Sequence, residues 1–359
     1  MDLKNLDVLL FNPSIENGGV EKNLYIFSKL FRKKVKTISI VSSSIEKKKL
    51  FDRKIKFISF NKVKIKSNKR FVHYVFSIFA LINFFVKNKN KKILIISFQS
   101  NVLSILTAKL FCKKIIIRLN TSPNKYINNI FKKLFFKLIY NMSDLIVVNS
   151  YSFKKEVKSL FNLKSHVIYN LIKKIKLKKK IKNELLEIIN VGRITDQKDQ
   201  ITLLRAIKLV NNYINCNLSI VGKGYLQGYL KNYVIKNKLK NSNFLGPVDS
   251  PERLIAKSDL FILTSKYEGM PNVLIEAMQC KTYIISTNCK TGPKELLNNG
   301  KYGSLVPVGS HVSIAKEILK YAKKPLFYKG KINMGHKSLN RFDNNKNILI
   351  YANLILELK

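Results

Sequence analysis

The chain contains no tryptophan, and carboxylates are scarce: 21 Asp and Glu stand against 67 Lys and Arg, a formal net charge of +46. No two aspartates stand in an Asp-x-Asp arrangement, no P-loop spacing occurs, and the four histidines (His73, His166, His311, His336) lie far apart. A site that handles phosphate here would have to neutralise charge with Arg, Lys and helix dipoles, and no metal or other cofactor is expected. The four cysteines (Cys112, Cys216, Cys280, Cys289) include no C-x-x-C pair. That argues against a disulfide framework or a zinc site and fits a reducing cytoplasm. Asp2, Lys4 and Asp7 interrupt any apolar run at the start, so no signal peptide is expected. The most apolar stretch, 71–86, contains His73 and Asn83 and is shorter than the roughly 20 residues of a membrane span.

What is present is apolar residue in quantity, 46% of 359 residues, enough for more than one core. The basic excess has two readings that stay open at this point. One is compositional drift of an AT-rich coding sequence, since Lys, Asn and Ile abound throughout; the other is a surface attracted to an anionic membrane. Nucleic acid is disfavoured, because the aromatics sit in apolar runs and not on exposed stacking platforms.

Read in order, residues 7–11 form a short apolar run, followed by Gly18-Gly19 and a helix in which Val20, Leu24, Phe27 and Phe31 recur at helical spacing. Further strands are predicted at 37–41, 55–60, 93–98, 115–119, 145–148 and 167–169. Most lack alternation, as expected of a parallel sheet covered on both faces. A helix is predicted from Lys125 to Asn141, with Ile127, Ile130, Phe131, Leu134 and Leu138 on one face and Lys132, Lys133 and Lys137 elsewhere. Such a helix can lie on an anionic bilayer, or pack on its own sheet. The charged run from Lys173 to Lys182 marks a domain boundary, after which a second α/β series begins at Leu186. A last helix is predicted over 344–358.

Three loops of the second series could carry chemistry, since ligands of open α/β sheets bind at the carboxyl ends of the strands. Gly192 and Arg193 end one strand, with Lys198 five residues on; the two cations could grip a diphosphate. Gly222, Gly224 and Gly228 resemble a dinucleotide fingerprint but are one residue out of its spacing. A nicotinamide enzyme is therefore not expected, although the glycines could let a nucleotide approach the backbone. The third loop, SKYEGMPNVLIEAM from Ser265 to Met278, leaves a strand and enters a helix with Pro271 read as its first residue. Met270 cannot cap that helix, which leaves N–H donors for an anion, and Glu268 and Glu276 stand eight apart. An ordinary surface loop and helix would show the same pattern.

Taken together, Gly18-Gly19, Gly192-Arg193 with Lys198, and Glu268-x7-Glu276 resemble the retaining nucleotide-sugar glycosyltransferases of family 4, also called group 1. The blocks VGRITDQKD, FLGPVDSPERLIAKSDLFILTS, YEGMPNVLIEAM and TGPKELLNNGKYGSLVPVG follow in that family's order. The resemblance implies an α/β protein of the GT-B fold: two Rossmann-like domains whose parallel sheets face across a cleft. It places an acceptor-side domain at 1–172, a charged linker at 173–186 and a nucleotide-sugar domain at 187–340. The helix in 341–359 would pack back on the first domain.

It also implies roles. Arg193 and Lys198 would bind the donor diphosphate as leaving group, Glu268 the donor sugar and Glu276 the ribose. Gly192, Gly222, Gly269, Met270, Pro271, Asn272 and Val273 would line the donor site, and Gly18-Gly19 would bring the first domain's backbone to the donor. Many members carry a His after the strand at 115–119; here the region holds none, so either Arg118 or Asn120 would take over its contact on the acceptor side or the acceptor chemistry is arranged differently. The expected reaction is a metal-independent, retaining hexosyl transfer, with a UDP-sugar as co-substrate. The acceptor would be a saccharide or an undecaprenyl-diphosphate-linked saccharide of a bacterial surface glycan, and the enzyme would sit in the cytoplasm or peripherally on the inner membrane face. The competing reading is a basic nucleic-acid- or membrane-surface-binding protein on the same scaffold without catalysis.

Overall fold

The computed structural model of the chain describes residues 3–15, 18–43, 48, 49, 51–59, 70–175, 184–289 and 291–358. Two compact units divide it: unit 1 is Met1–Ile172 with Phe342–Lys359, and unit 2 is Lys173–Arg341.

Unit 1 alternates strands and helices: β1 (Asp7–Phe11), α1 (Gly19–Phe31), β2 (Thr37–Val41), β3 (Lys56–Ile58), α2 (Arg70–Lys87), β4 (Ile93–Ser97), α3 (Asn101–Leu110), β5 (Lys114–Leu119), α4 (Ile130–Asn141), β6 (Leu145–Val148), α5 (Tyr151–Phe161) and β7 (His166–Val167). The seven strands pair in the order β3-β2-β1-β4-β5-β6-β7, and every pairing is parallel. Successive residues of β1 serve opposite faces: Val8 and Leu10 join a core with α1, Leu9 and Phe11 one with α2 to α5. Burial on both faces explains why the strands read as unbroken apolar runs.

Helix α4 begins five residues later than the spacing predicted. Asn129 caps it, its side chain accepting from Lys132 N–H, and Pro123–Lys125 form a separate 3-10 turn. At the other end of the chain, Asn344–Leu356 form a helix whose Ile348, Tyr351, Ala352 and Ile355 lie in the same core as α1. The Asn344 amide clamps Ile172, accepting from its N–H at 2.9 Å and donating to its carbonyl at 2.8 Å.

Arg118, in β5, is 1% exposed. It donates to the Tyr351 phenol at 2.6 Å, to Asn170 Oδ1 at 2.8 Å, to the Ile168 carbonyl at 3.2 Å and to Asn120 Oδ1 at 3.2 Å. Its donors are turned inward and tie β5 to the C-terminal helix. Asn120 is likewise engaged, its amide donating to the Phe98 carbonyl at 2.7 Å. Burial pushes the Tyr351 phenol above its ordinary pKa, with Arg118 pulling it down.

Unit 2 runs β8 (Leu186–Val191), α6 (Gln200–Val210), β9 (Cys216–Val221), α7 (Gln227–Lys236), β10 (Ser242–Gly246), α8 (Glu252–Lys257), β11 (Leu260–Leu263), α9 (Asn272–Gln279), β12 (Tyr283–Thr287), α10 (Pro293–Leu296), β13 (Ser304–Val306), α11 (His311–Lys323) and α12 (Lys329–Lys337). Its parallel sheet has the order β10-β9-β8-β11-β12-β13. The chain therefore works outward from β8 in one direction, then returns to β11 and works outward in the other. Of the expected linker, residues 176–183 lie outside the described residues. Its start belongs to unit 2, where Ile175 N–H donates to Gln279 at 3.2 Å and Lys173 pairs with Glu252 at 3.5 Å.

Replacing Tyr351 by Phe removes one of Arg118's partners while keeping the ring that packs edge-on against Phe27. An unmet hydrogen bond to a buried guanidinium costs about 1.5–3 kcal/mol. The unfolding free energy of unit 1 should fall by that amount and its urea midpoint move to lower concentration, read by far-UV circular dichroism.

Candidate active site

The site is built where the strand order of unit 2 reverses. The loops after β8 and β11 leave adjacent strands at their carboxyl ends, the position at which open α/β sheets bind ligands. After β8, Gly192 and Ile194 are pinned to the next loop by Gly192 N–H to Val221 O and Ile194 N–H to Lys223 O. The glycines of that next loop make the close approach possible. A Cβ on Gly222 would overlap the Gly192 carbonyl, and one on Gly224 the Ile194 carbonyl, whereas Gly228 has open space around it. Gly222, expected at the donor, thus has a packing role in bringing two backbones together.

This packing leaves the two cations of the β8 loop in different environments. Arg193 is exposed, and its guanidinium makes no hydrogen bond or ion pair among the described residues. Lys198 runs its stem over Gly192, where a Cβ would stand 3.3 Å from Lys198 Cε. Its ammonium meets Glu268 Oε1 at 2.5 Å, with the two side chains 14% and 8% exposed. Residues 70 apart in sequence, one from each side of the strand reversal, thus form one ion pair.

Glu268 is held on its other flanks as well. Ser265 Oγ donates to the same carboxylate oxygen at 2.6 Å, and Thr291 Oγ1 donates to the Glu268 carbonyl at 2.5 Å. The Ser265 carbonyl accepts from Thr287 Oγ1 at 2.6 Å and from the Cys289 thiol at 2.9 Å. Burial pushes the Cys289 thiol up to about 11, so at neutral pH it is a hydrogen-bond donor and not a nucleophile. Further bonds join the two loops: Thr264 Oγ1 to the Lys198 carbonyl at 2.8 Å, Lys266 N–H to the Gln197 carbonyl at 2.9 Å, and Gln197 to the Tyr267 carbonyl at 3.0 Å.

Helix α9 begins at Asn272, one residue later than expected. Pro271 is its extended N-cap, with φ −71° and ψ 109°, and no side chain caps the first turn. Met270 is buried at 6%, so of the expected donor-site residues it serves the core. Asn272, Val273 and Glu276 stay partly exposed on one face of the helix, and Gly269 precedes them. In unit 1, Gly18 caps α1 with ordinary extended backbone, and the Glu21 carboxylate folds back over it.

Several groups of this arrangement escaped the sequence reading. Ser265, just after β11, and Thr287, Cys289 and Thr291, from β12 and the loop after it, support the Glu268 loop, and small polar residues at a strand end carry too little signal to be singled out. In unit 1, His73 meets Ser43 Oγ through Nδ1 at 2.7 Å, just beyond the end of β2. In the sequence it is one polar residue inside an apolar run.

A family model described as glycosyl transferases group 1 matches residues 172–347. That match covers unit 2, which is similar to this family along its length. An uncharacterized glycosyltransferase of Methanocaldococcus jannaschii is 33% identical over 205 residues, 51% of this chain and 50% of that protein. The chain thus spans about half the length of that relative. A second relative, from Campylobacter jejuni, is N-acetylgalactosamine-N,N'-diacetylbacillosaminyl-diphospho-undecaprenol 4-alpha-N-acetylgalactosaminyltransferase. It is 27% identical over 254 residues, 66% of this chain and 69% of that protein. The structure of Anabaena HepE in complex with UDP-glucose matches 99% of this chain and 100% of its own, with a TM-score of 0.78 at 17% identity. At that identity the likeness establishes the fold, and the two parallel-sheet units are those of GT-B glycosyltransferases.

Gly292, in the loop that holds Glu268, has φ +75°, and a Cβ there would overlap the Gly269 carbonyl and the Pro271 ring. Strain and overlap together predict that Gly292→Ala destabilises unit 2 by about 2 kcal/mol or more. Thermal unfolding of the variant should begin several degrees lower.

Proposed function

We propose that the chain is a retaining, metal-independent glycosyltransferase that moves a sugar from a UDP-sugar to a saccharide or a saccharide carried on a lipid diphosphate. The observation that carries this reading is the Lys198–Glu268 contact at the strand reversal, with the unengaged Arg193 beside it, inside the domain matched by the group 1 family. Arg193 offers a planar fork suited to phosphate oxygens, and Lys198 a point charge. As the bond from C1 to the donor phosphate breaks, negative charge builds on the leaving diphosphate, where these two cations would stabilise it. The acceptor oxygen bonds to C1 on the same face, and its proton passes to the departing phosphate oxygen. No protein nucleophile is required.

The ion pair gives Glu268 a defined part. A diphosphate arriving beside Lys198 competes for the ammonium that Glu268 holds, which leaves the carboxylate to accept hydrogen bonds from sugar hydroxyls. Glu276, on the partly exposed face of α9, would hold the ribose. UDP is the favoured nucleotide because the neighbouring Anabaena structure holds UDP-glucose. The lipid-carried acceptor is favoured by the diphospho-undecaprenol acceptor in the Campylobacter relative's name.

The test is thermal stabilisation by UDP, GDP, ADP and their sugars. A ligand at about 100 times its dissociation constant should add about 2.7 kcal/mol, and EDTA should not reduce the effect. Glu276→Ala should lose most of the stabilisation by UDP. Glu268→Gln should keep it while turnover falls at least tenfold. A chain that responds to none of these nucleotides is not this enzyme, and equal loss of UDP binding in both variants would overturn the division of roles.

A further inference from the structure

Helix α4 packs on unit 1 through Phe136, Ile139 and Tyr140. Its opposite side is not polar. Phe131 is 79% exposed, Leu134 55%, Phe135 49% and Leu138 67%, and these positions recur at helical spacing. Helix α3, packed beside it, repeats the pattern with Leu106 at 43% and Leu110 at 76%. Each helix is therefore apolar on the side turned away from the sheet as well as on the side turned toward it. Scattered exposed leucines need no explanation, but apolar side chains exposed at helical spacing on two adjacent helices mark an interaction surface.

The charge around the ridge says what covers it. Lys132 and Lys137 flank the apolar stripe of α4 on either side, with Lys133 behind. Helices α2, α3 and α4 contain no Asp or Glu, and no carboxylate side chain occurs anywhere between Asp52 and Asp144. Asp144 itself pairs with Lys109 at 2.9 Å. A second copy of the chain would bring lysines against lysines. An anionic bilayer would instead receive the apolar side chains below its headgroups while the lysines reach phosphate oxygens alongside. No helix among the described residues is long and apolar enough to cross a membrane, so the contact is peripheral.

We propose that the outer face of α3 and α4 docks unit 1 on an anionic lipid surface, with Leu106, Leu110, Phe131, Leu134, Phe135 and Leu138 entering the headgroup boundary. The inference stands on this surface alone. It deepens the reading of a lipid-carried acceptor without depending on it.

Co-sedimentation of the full chain with vesicles tests it, comparing phosphatidylcholine mixed with phosphatidylglycerol against phosphatidylcholine alone. The chain should bind the mixed vesicles and not the neutral ones. K132Q/K133Q/K137Q should weaken binding roughly a hundredfold at low salt, from about 1 kcal/mol per lysine. L134S/L138S should weaken it about tenfold at moderate salt, where apolar insertion dominates. Removing as many lysines from unit 2, as K231Q/K236Q/K240Q, should have little effect. Failure to bind mixed vesicles, or equal loss in the unit 2 variant, overturns the proposal. So does light scattering that shows a vesicle-free dimer dissolved by L134S/L138S, which would assign the ridge to self-association. Stabilisation by UDP, measured on the same samples, reports separately on the transfer reaction: it can fail while vesicle binding holds, and the reverse.

Discussion

Parallel strands cannot be joined by hairpins, and from that constraint most of this molecule follows. Each strand must be left at one end and re-entered at the other through a covering helix. All the strand-to-helix loops of a unit therefore gather at the carboxyl edge of its sheet. Where the strand order reverses, two of those loops diverge from neighbouring strands and leave room between them. In unit 2 that room is bordered by the loops after β8 and β11, and the Lys198–Glu268 contact spans it. The glycines at 222, 224 and 292 serve the same end, since each stands where a Cβ would collide with a neighbouring backbone carbonyl.

Two basic side chains show how burial decides a role. Arg118 and Lys198 both follow apolar runs and both looked able to meet a substrate. Arg118 is enclosed and engaged by a phenol, two amide oxygens and a carbonyl, none of them charged. A guanidinium so placed holds the C-terminal helix to β5, and removing a partner leaves a buried charge less satisfied. Lys198 is paired with a carboxylate at the edge of solvent, in an arrangement that a competing anion can reopen. One is a fastener and the other a contact that can be exchanged.

Excess charge of one sign also has a structural consequence. With so few carboxylates, most lysines can only face solvent or an external anion, and the described residues hold few ion pairs. Compositional drift accounts for lysine everywhere. It sets how much leucine and phenylalanine the chain holds but not where they stand, and here they recur at helical spacing on the solvent side of two helices. That is why the ridge, and not the net charge, carries the inference of a lipid surface.

The strands were legible in the sequence because burial on both faces leaves an almost unbroken apolar run, and β4, β6 and β11 begin and end close to where those runs do. Gly192, Arg193 and Glu268 stood out because they follow such strands in loops, and Lys198 and Glu276 because of their spacing from Arg193 and Glu268. Helix starts were less so: α4 opens at Ile130 because Asn129 caps it, and α9 opens at Asn272 because Pro271 stays extended. Which residues touch was not legible at all. Lys198 and Glu268, or Arg118 and Tyr351, are separated by far more chain than any local pattern spans, and only the strand order brings them within hydrogen-bond reach. Local periodicity thus determined by itself that this is a layered α/β chain with polar loops at its strand ends. The tertiary structure alone decided which loops meet and which charges are buried, because a long-range contact depends on how sheets and helices pack and leaves no mark on either partner's neighbours in sequence.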